Sequence, residues 1–85
     1  ARYELALQKL TEEDYRAAIA LLRPLAEGSS NTAPKALLRL AYAQGESGQD
    51  SAALASYRRL VLQYPGADER AAALDAVRAA SVESG

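Results

Sequence analysis

Eighty-five residues with a formal net charge of −1 leave room for one small domain near the lower size limit of a self-sufficient core. The interspersed charges argue against a nucleic-acid or anionic-membrane surface, and no apolar run approaches the roughly 18 residues of a bilayer span. With no His and no Cys there is no Ser-His or Cys-His catalysis, no imidazole or thiolate metal site and no disulfide, and redox compartment is left unmarked.

Tyr3, Ala6, Leu7 and Leu10 recur at helical spacing and predict a first helix over 2–10. Thr11-Glu12-Glu13-Asp14 breaks the apolar pattern and offers caps for a second helix over 14–27, with Tyr15, Ala18, Ile19, Leu22 and Leu25 inward. Pro24 lies inside that helix, cannot donate to the Ala20 carbonyl, and is expected to bend the last turn before Gly28 stops it. Thr32 is the expected N-cap of a third helix over 33–46, with Pro34 in its first turn and Leu37, Leu40, Ala41 and Gln44 on one face. Gly45 and Gly48 bracket the next turn. A fourth helix over 50–63 ends at Tyr64-Pro65-Gly66, and Asp68 is the expected cap of a fifth, reaching about residue 81. The apolar share is carried by Ala and Leu, β-branched apolar residues are few, and nothing reads as a strand.

The stretch from Gly48 to Gly66 carries Ala53 where a core residue is expected, then Tyr57, then a Tyr-Pro-Gly stop. Small residues on a buried face imply that another backbone comes close. Self-similarity supplies the partner. Asp14-Tyr15-Arg16-Ala17-Ala18-Ile19 aligns with Gln49-Asp50-Ser51-Ala52-Ala53-Leu54 at an offset of 35, and Leu5-Ala6 falls on Leu40-Ala41 at the same offset. The period is one helix pair, and Ala53 is expected to meet the preceding helix at Leu40-Ala41.

From Pro34 to Ala67 the chain resembles the tetratricopeptide repeat family, whose unit is 34 residues. Leu37 stands at the first large anchor, Leu40-Ala41 at the Leu-Gly pair and Gly48 at the inter-helix turn. Ala53 stands at the small residue of the second helix, and Tyr57 and Pro65 at the aromatic and closing-proline positions. Departures are Gln44 for the usual aromatic, Asp50 for the tyrosine of the turn and Leu60 for a small residue. The first repeat matches less well, with Ser30 where proline would stand. The resemblance implies an all-α fold of antiparallel helical hairpins stacked as a short right-handed solenoid. Repeat one would occupy about 1–32, repeat two about 33–67 and a capping helix about 68–81, all in one domain spanning 1–85.

It also implies a concave groove, lined by the first helix of each pair, that holds a peptide or a partner helix. Carried over position by position, the groove residues are Tyr3, Leu7 and Leu10 from the first repeat and Lys35, Leu38, Arg39 and Tyr42 from the second. The fifth helix would add Glu69, Ala72, Ala73 and Ala76. Leu38 and Tyr42 lie one turn apart on the face not used by Leu37 and Leu40, and form the expected exposed apolar pair. Relatives that grip a chaperone's C-terminal carboxylate use Lys and Asn where this chain has Tyr3, Leu7, Arg39, Glu69 and Ala73, so that clamp is absent.

Other motifs carry little chemistry. Glu12-Glu13-Asp14 suits a helix start better than a cation, Gly45-Glu46-Ser47-Gly48 lacks the Lys-Ser/Thr of a phosphate loop, and Arg58-Arg59 fits a solvated face. The expectation is a non-enzymatic protein–protein interaction module with no cofactor, no metal, no nucleic-acid partner and no membrane insertion. A structural spacer or self-association unit is the other expectation, and a regulatory domain attached to an enzyme a third. The start at Ala-Arg-Tyr-Glu, without a leader, is expected of a piece excised from a longer protein. The excess of Arg over Lys and the Gln-Tyr-Pro-Gly ending, which is similar to repeats of bacterial envelope proteins, lean toward a bacterial, periplasmic setting.

Overall fold

Five helices follow one another in the computed structural model, which describes residues 2–84 and their side chains as far as residue 80. They are α1 (Arg2–Thr11), α2 (Tyr15–Glu27), α3 (Thr32–Glu46), α4 (Asp50–Gln63) and α5 (Arg70–Ser84), with no strand among the described residues. Each helix packs chiefly against its neighbours in the chain, and α1 also touches α3. The Cα envelope measures 38 × 28 × 16 Å, and its thin dimension is the depth of two packed helices.

The turns after α1 and after α3 are built alike. Glu13 N–H donates to the Leu10 carbonyl at 3.0 Å and Asp14 N–H reaches back to Lys9 at 2.9 Å. At an offset of 35, Gly48 N–H donates to the Gly45 carbonyl at 3.2 Å and Gln49 N–H to Gln44 at 2.8 Å. Both pairs are the reciprocal bonds that satisfy the last carbonyls of a helix when the residue past its end turns left-handed. That residue is Glu13, at φ 62°, in the first turn and Gly48, at φ 88°, in the second. The next helix starts alike as well, with Ala18 N–H on the Asp14 carbonyl and Ala53 N–H on that of Gln49.

Helix ends follow the sequence expectations in kind more than in detail. Asp14 caps α2, its Oδ1 accepting from Ala17 N–H at 3.3 Å. Thr32 is not the cap of α3 but its first residue; Asn31 holds the cap position without a side-chain bond, and Ser30 before it accepts from Thr32 N–H through Oγ and from Ala33 N–H through its carbonyl. Four consecutive residues there have cap-competent side chains, and the path of the chain selects among them. α5 begins at Arg70, past Asp68, with the Glu69 carbonyl accepting from Ala73 N–H. Gly28 ends α2 in an extended conformation (ψ 178°), not a left-handed one. α2 runs through Pro24 to Glu27. Ala20 and Pro24 are both exposed, so the carbonyl left without its donor faces water.

The core is small-residue helix packing. Ala6, Ala18, Ala26, Ala36, Ala43 and Ala73 are fully buried around Leu22, Leu37, Leu40 and Leu60. Alanine at so many crossings lets backbones approach without leaving voids. Ala53 also has Gly45 of α3 beside it: a Cβ built on Gly45 would stand 3.7 Å from the Ala53 Cβ. The short turn decides this, since a helix reversing around Gly48 brings Gly45 opposite Ala53. Gln44, which replaces an expected aromatic, is 5% exposed and accepts a 2.7 Å hydrogen bond from Ser56 Oγ. No buried side-chain polar atom is left without a partner among the described residues.

Candidate functional site

Two surfaces deserve description: the predicted face of α1 and α3, and a cleft between α4 and α5. On the first, Lys35 and Arg39 are exposed and Tyr42 is 44% exposed. Tyr3, Leu7, Leu10 and Leu38 are half-buried, and all but Leu7 pack against the core cluster. Of the additional positions expected from the fifth helix, Ala72 is exposed, Ala76 is half-buried and Ala73 is fully buried, while Glu69, half-buried, lies in the turn just before α5. Ala73 is therefore a core residue and not part of a groove. It points toward α4 because α5 has no other extensive neighbour.

Tyr42 does not stand alone. Its ring meets that of Tyr15 on α2 edge to face, with centroids 6.4 Å apart and planes at 72°. Glu46, one turn further along α3, holds the Tyr42 phenol above its ordinary value, through a hydrogen bond first and its negative charge second. The α3 stripe thus runs from basic Lys35 and Arg39, past an anchored aromatic ring, to acidic Glu46. Sequence reasoning supplied the basic end and the ring. It missed Tyr15 as their neighbour, because that residue was assigned to the inward face of α2.

The cleft is about 450 Å³ and is lined by Gly45 at the end of α3, by Asp50, Ala53, Leu54 and Tyr57 of α4, and by Ala76 and Ala80 of α5. Its walls are more apolar than polar, and Asp50 is the one charged residue among the described residues that line it. Tyr57 is half-buried, and burial first, with the Glu46 charge second, raises its phenol above the ordinary value. A smaller hollow of about 260 Å³ lies between Arg16, Ile19 and Arg23 of α2 and Ser47 and Gln49 of the α3–α4 turn.

The acidic run before α2 is occupied with structure. Glu12 accepts from Gln8 Nε2 at 3.2 Å and Lys9 Nζ at 3.5 Å, Glu13 forms the left-handed turn and Asp14 caps. Arg59 of the other charged pair donates to Gln63 Oε1 at 3.1 Å, and Arg58 is exposed. Among the described residues no group of His, Cys, Asp or Glu is placed to hold a metal ion, and no helix is long and apolar enough to cross a membrane. Compared with protein-family models, with curated proteins and with solved structures, the chain matches none.

Proposed function

We propose that this chain is a tetratricopeptide-type pair of helical hairpins plus a capping helix, acting as a non-enzymatic module that binds a peptide or helix of a protein partner. The observation that carries this reading is the recurrence, at an offset of 35, of one turn geometry, one helix start and the buried small residues Ala6/Ala41 and Ala18/Ala53. A stacked repeat offers an extended surface in place of a chemical centre, and the sequence has neither the imidazole nor the thiol that Ser-His and Cys-His chemistry needs. The ligand would lie along α3, its acidic end toward Lys35 and Arg39 and an apolar side chain against Tyr42.

The test is selection from a random peptide library on the parent domain and on an Arg39→Glu/Tyr42→Ala variant. Both residues are exposed, and since Tyr42→Ala also removes the ring contact with Tyr15, the fold of the variant is checked by circular dichroism and a thermal melt before selection. Peptides enriched on the parent and lost on the variant support the groove. Equal enrichment on both, or none on either, overturns it.

One observation favours self-association as a second reading. Leu5 is 43% exposed, whereas Leu40, its counterpart 35 residues on, is 5% exposed. A further hairpin, from another molecule or another stretch of protein, would cover Leu5 as the first hairpin helps cover Leu40. A sedimentation-velocity mass that rises with concentration and falls on Leu5→Lys supports it; a constant monomer mass removes it.

A further inference from the structure

The cleft between α4 and α5 has a closed counterpart within the same molecule. Shifting its α4 lining residues back by 35 gives Tyr15, Ala18, Ile19 and Leu22 of α2; Ala76 and Ala80 of α5 go to Ala41 and Gly45 of α3. There the packing is tighter: Ala18, Leu22 and Ala41 are fully buried and Ile19 is 8% exposed, while Tyr15 is half-buried and Gly45, at the helix end, exposed. The rings of Tyr15 and Tyr42 meet across that interface. Between α4 and α5 the same two positions hold Asp50 and Val77, so the aromatic pair is lacking. What remains is a trough more apolar than polar with a carboxylate on its wall, of a size that accommodates an aromatic side chain and part of its helix.

We propose that the α4–α5 cleft is a docking site for a partner helix that inserts an aromatic side chain beside a Lys or Arg. The aromatic ring would restore the packing that Tyr15 and Tyr42 give the first interface, and the cation would pair with Asp50. Charge complementarity selects the cation: among the described residues Asp50 is the only charged one lining the cleft, and the Glu46 carboxylate lies close enough to act on Tyr57 from the α3 side. None of the seven groove residues on α1 and α3 lines this cleft, and Ala76 is the one α5 groove position that does, so the two sites share no residue of α1 or α3.

The experiment uses three Ala-based helical peptides of about 14 residues, near the shortest length that holds a helix in water. One carries Tyr with Lys one turn on, the second replaces that Lys by Glu, and the third replaces the Tyr by Ala. Binding is followed by amide chemical shifts of the labelled domain. The Tyr/Lys peptide is expected to give saturable shifts centred on Ala53, Leu54, Tyr57 and Ala76, and the other two to bind at least about tenfold more weakly. Val77→Tyr supplies one ring of the missing pair and is expected to abolish binding without lowering Tm. Asp50→Lys is expected to reverse the preference between the Lys and Glu peptides, and decides the matter if Val77→Tyr fails to fold. Equal affinities for the Lys and Glu peptides, shifts centred on Lys35, Arg39 and Tyr42, or no saturable shift up to about 1 mM would each overturn the proposal.

Discussion

The two helix hairpins solve the same turn with opposite halves of the optimal chemistry. The first places Glu13, a residue with a Cβ, in the left-handed position, yet begins its next helix with a capping Asp14. The second places Gly48 in the left-handed position, where it fits without strain, and begins its next helix at Gln49, which makes no side-chain cap. The backbone hydrogen bonds are the same in both. What the comparison teaches is that the bond pattern dictates the turn, while side chains set only its cost. The interfaces that follow diverge further: α2 closes on α3 through Tyr15 and Tyr42, whereas α4 and α5 pack together around Ala73 but leave a cleft open beside that contact.

The sharpest way to break the comparison is to truncate equivalent residues in the two interfaces. Leu22→Ala, at a fully buried site, is expected to cost about 3 kcal/mol, and Tyr57→Ala, at its counterpart on the cleft wall, less than half as much. Chemical denaturation of both variants checks this, and equal losses would mean that the cleft is closed in solution. Next in size is Ser56→Ala, which leaves the buried Gln44 Oε1 without its donor and should cost about 1–2 kcal/mol by the same measurement. Its positional counterparts in the first hairpin, Lys9 and Leu21, hold no such polar pair.

The turns themselves can be exchanged. Gly48→Ala forces a Cβ into the left-handed region and should cost about 1 kcal/mol, whereas Glu13→Gly should gain roughly 0.5–1 kcal/mol. Gln49→Asp copies the first hairpin's cap into the second and should add about 0.5–1 kcal/mol. A thermal melt in which Glu13→Gly lowers Tm would contradict the left-handed assignment.

The smallest effect is alkaline. The Tyr57 phenol is raised in the folded state, so unfolding lets it ionise more readily. Its contribution is therefore intact below the unfolded tyrosine pKa, near 10, and is lost as pH rises through the higher folded value. Tyr57→Phe should flatten the decline of stability above about pH 10, measured against the parent. An unchanged slope would place the loss with the other tyrosines.

Helix count and type were legible in the sequence because long runs of Ala and Leu at 3.6-residue spacing leave no other reading. The period of 35 was legible too, and it exposed the substitution of Asp50 for a tyrosine. What that substitution does was not legible: the gap it leaves depends on Val77 standing at Tyr42's position on a different helix, and helix faces were read one at a time. The same limitation hid Tyr15 beside Tyr42 and assigned Ala73 to a surface. Leu38 was expected to be exposed with Tyr42, but it lies half-buried against the core. Distance around a helix is readable from spacing, whereas depth depends on how neighbouring helices splay.

The pattern of neighbour-only packing has a kinetic consequence. Nearly every tertiary contact joins helices adjacent in the chain, so little loop entropy stands in the way of assembly, and folding should complete in about a millisecond or less. α5 packs chiefly against α4, and its exit exposes little besides the walls it shares with that helix. Native-state hydrogen exchange should show its amides opening at lower free energy than those of α2 and α3. α5 would then peel and reseat on α4 while the first four helices stay folded, and the α4–α5 trough would come and go with it.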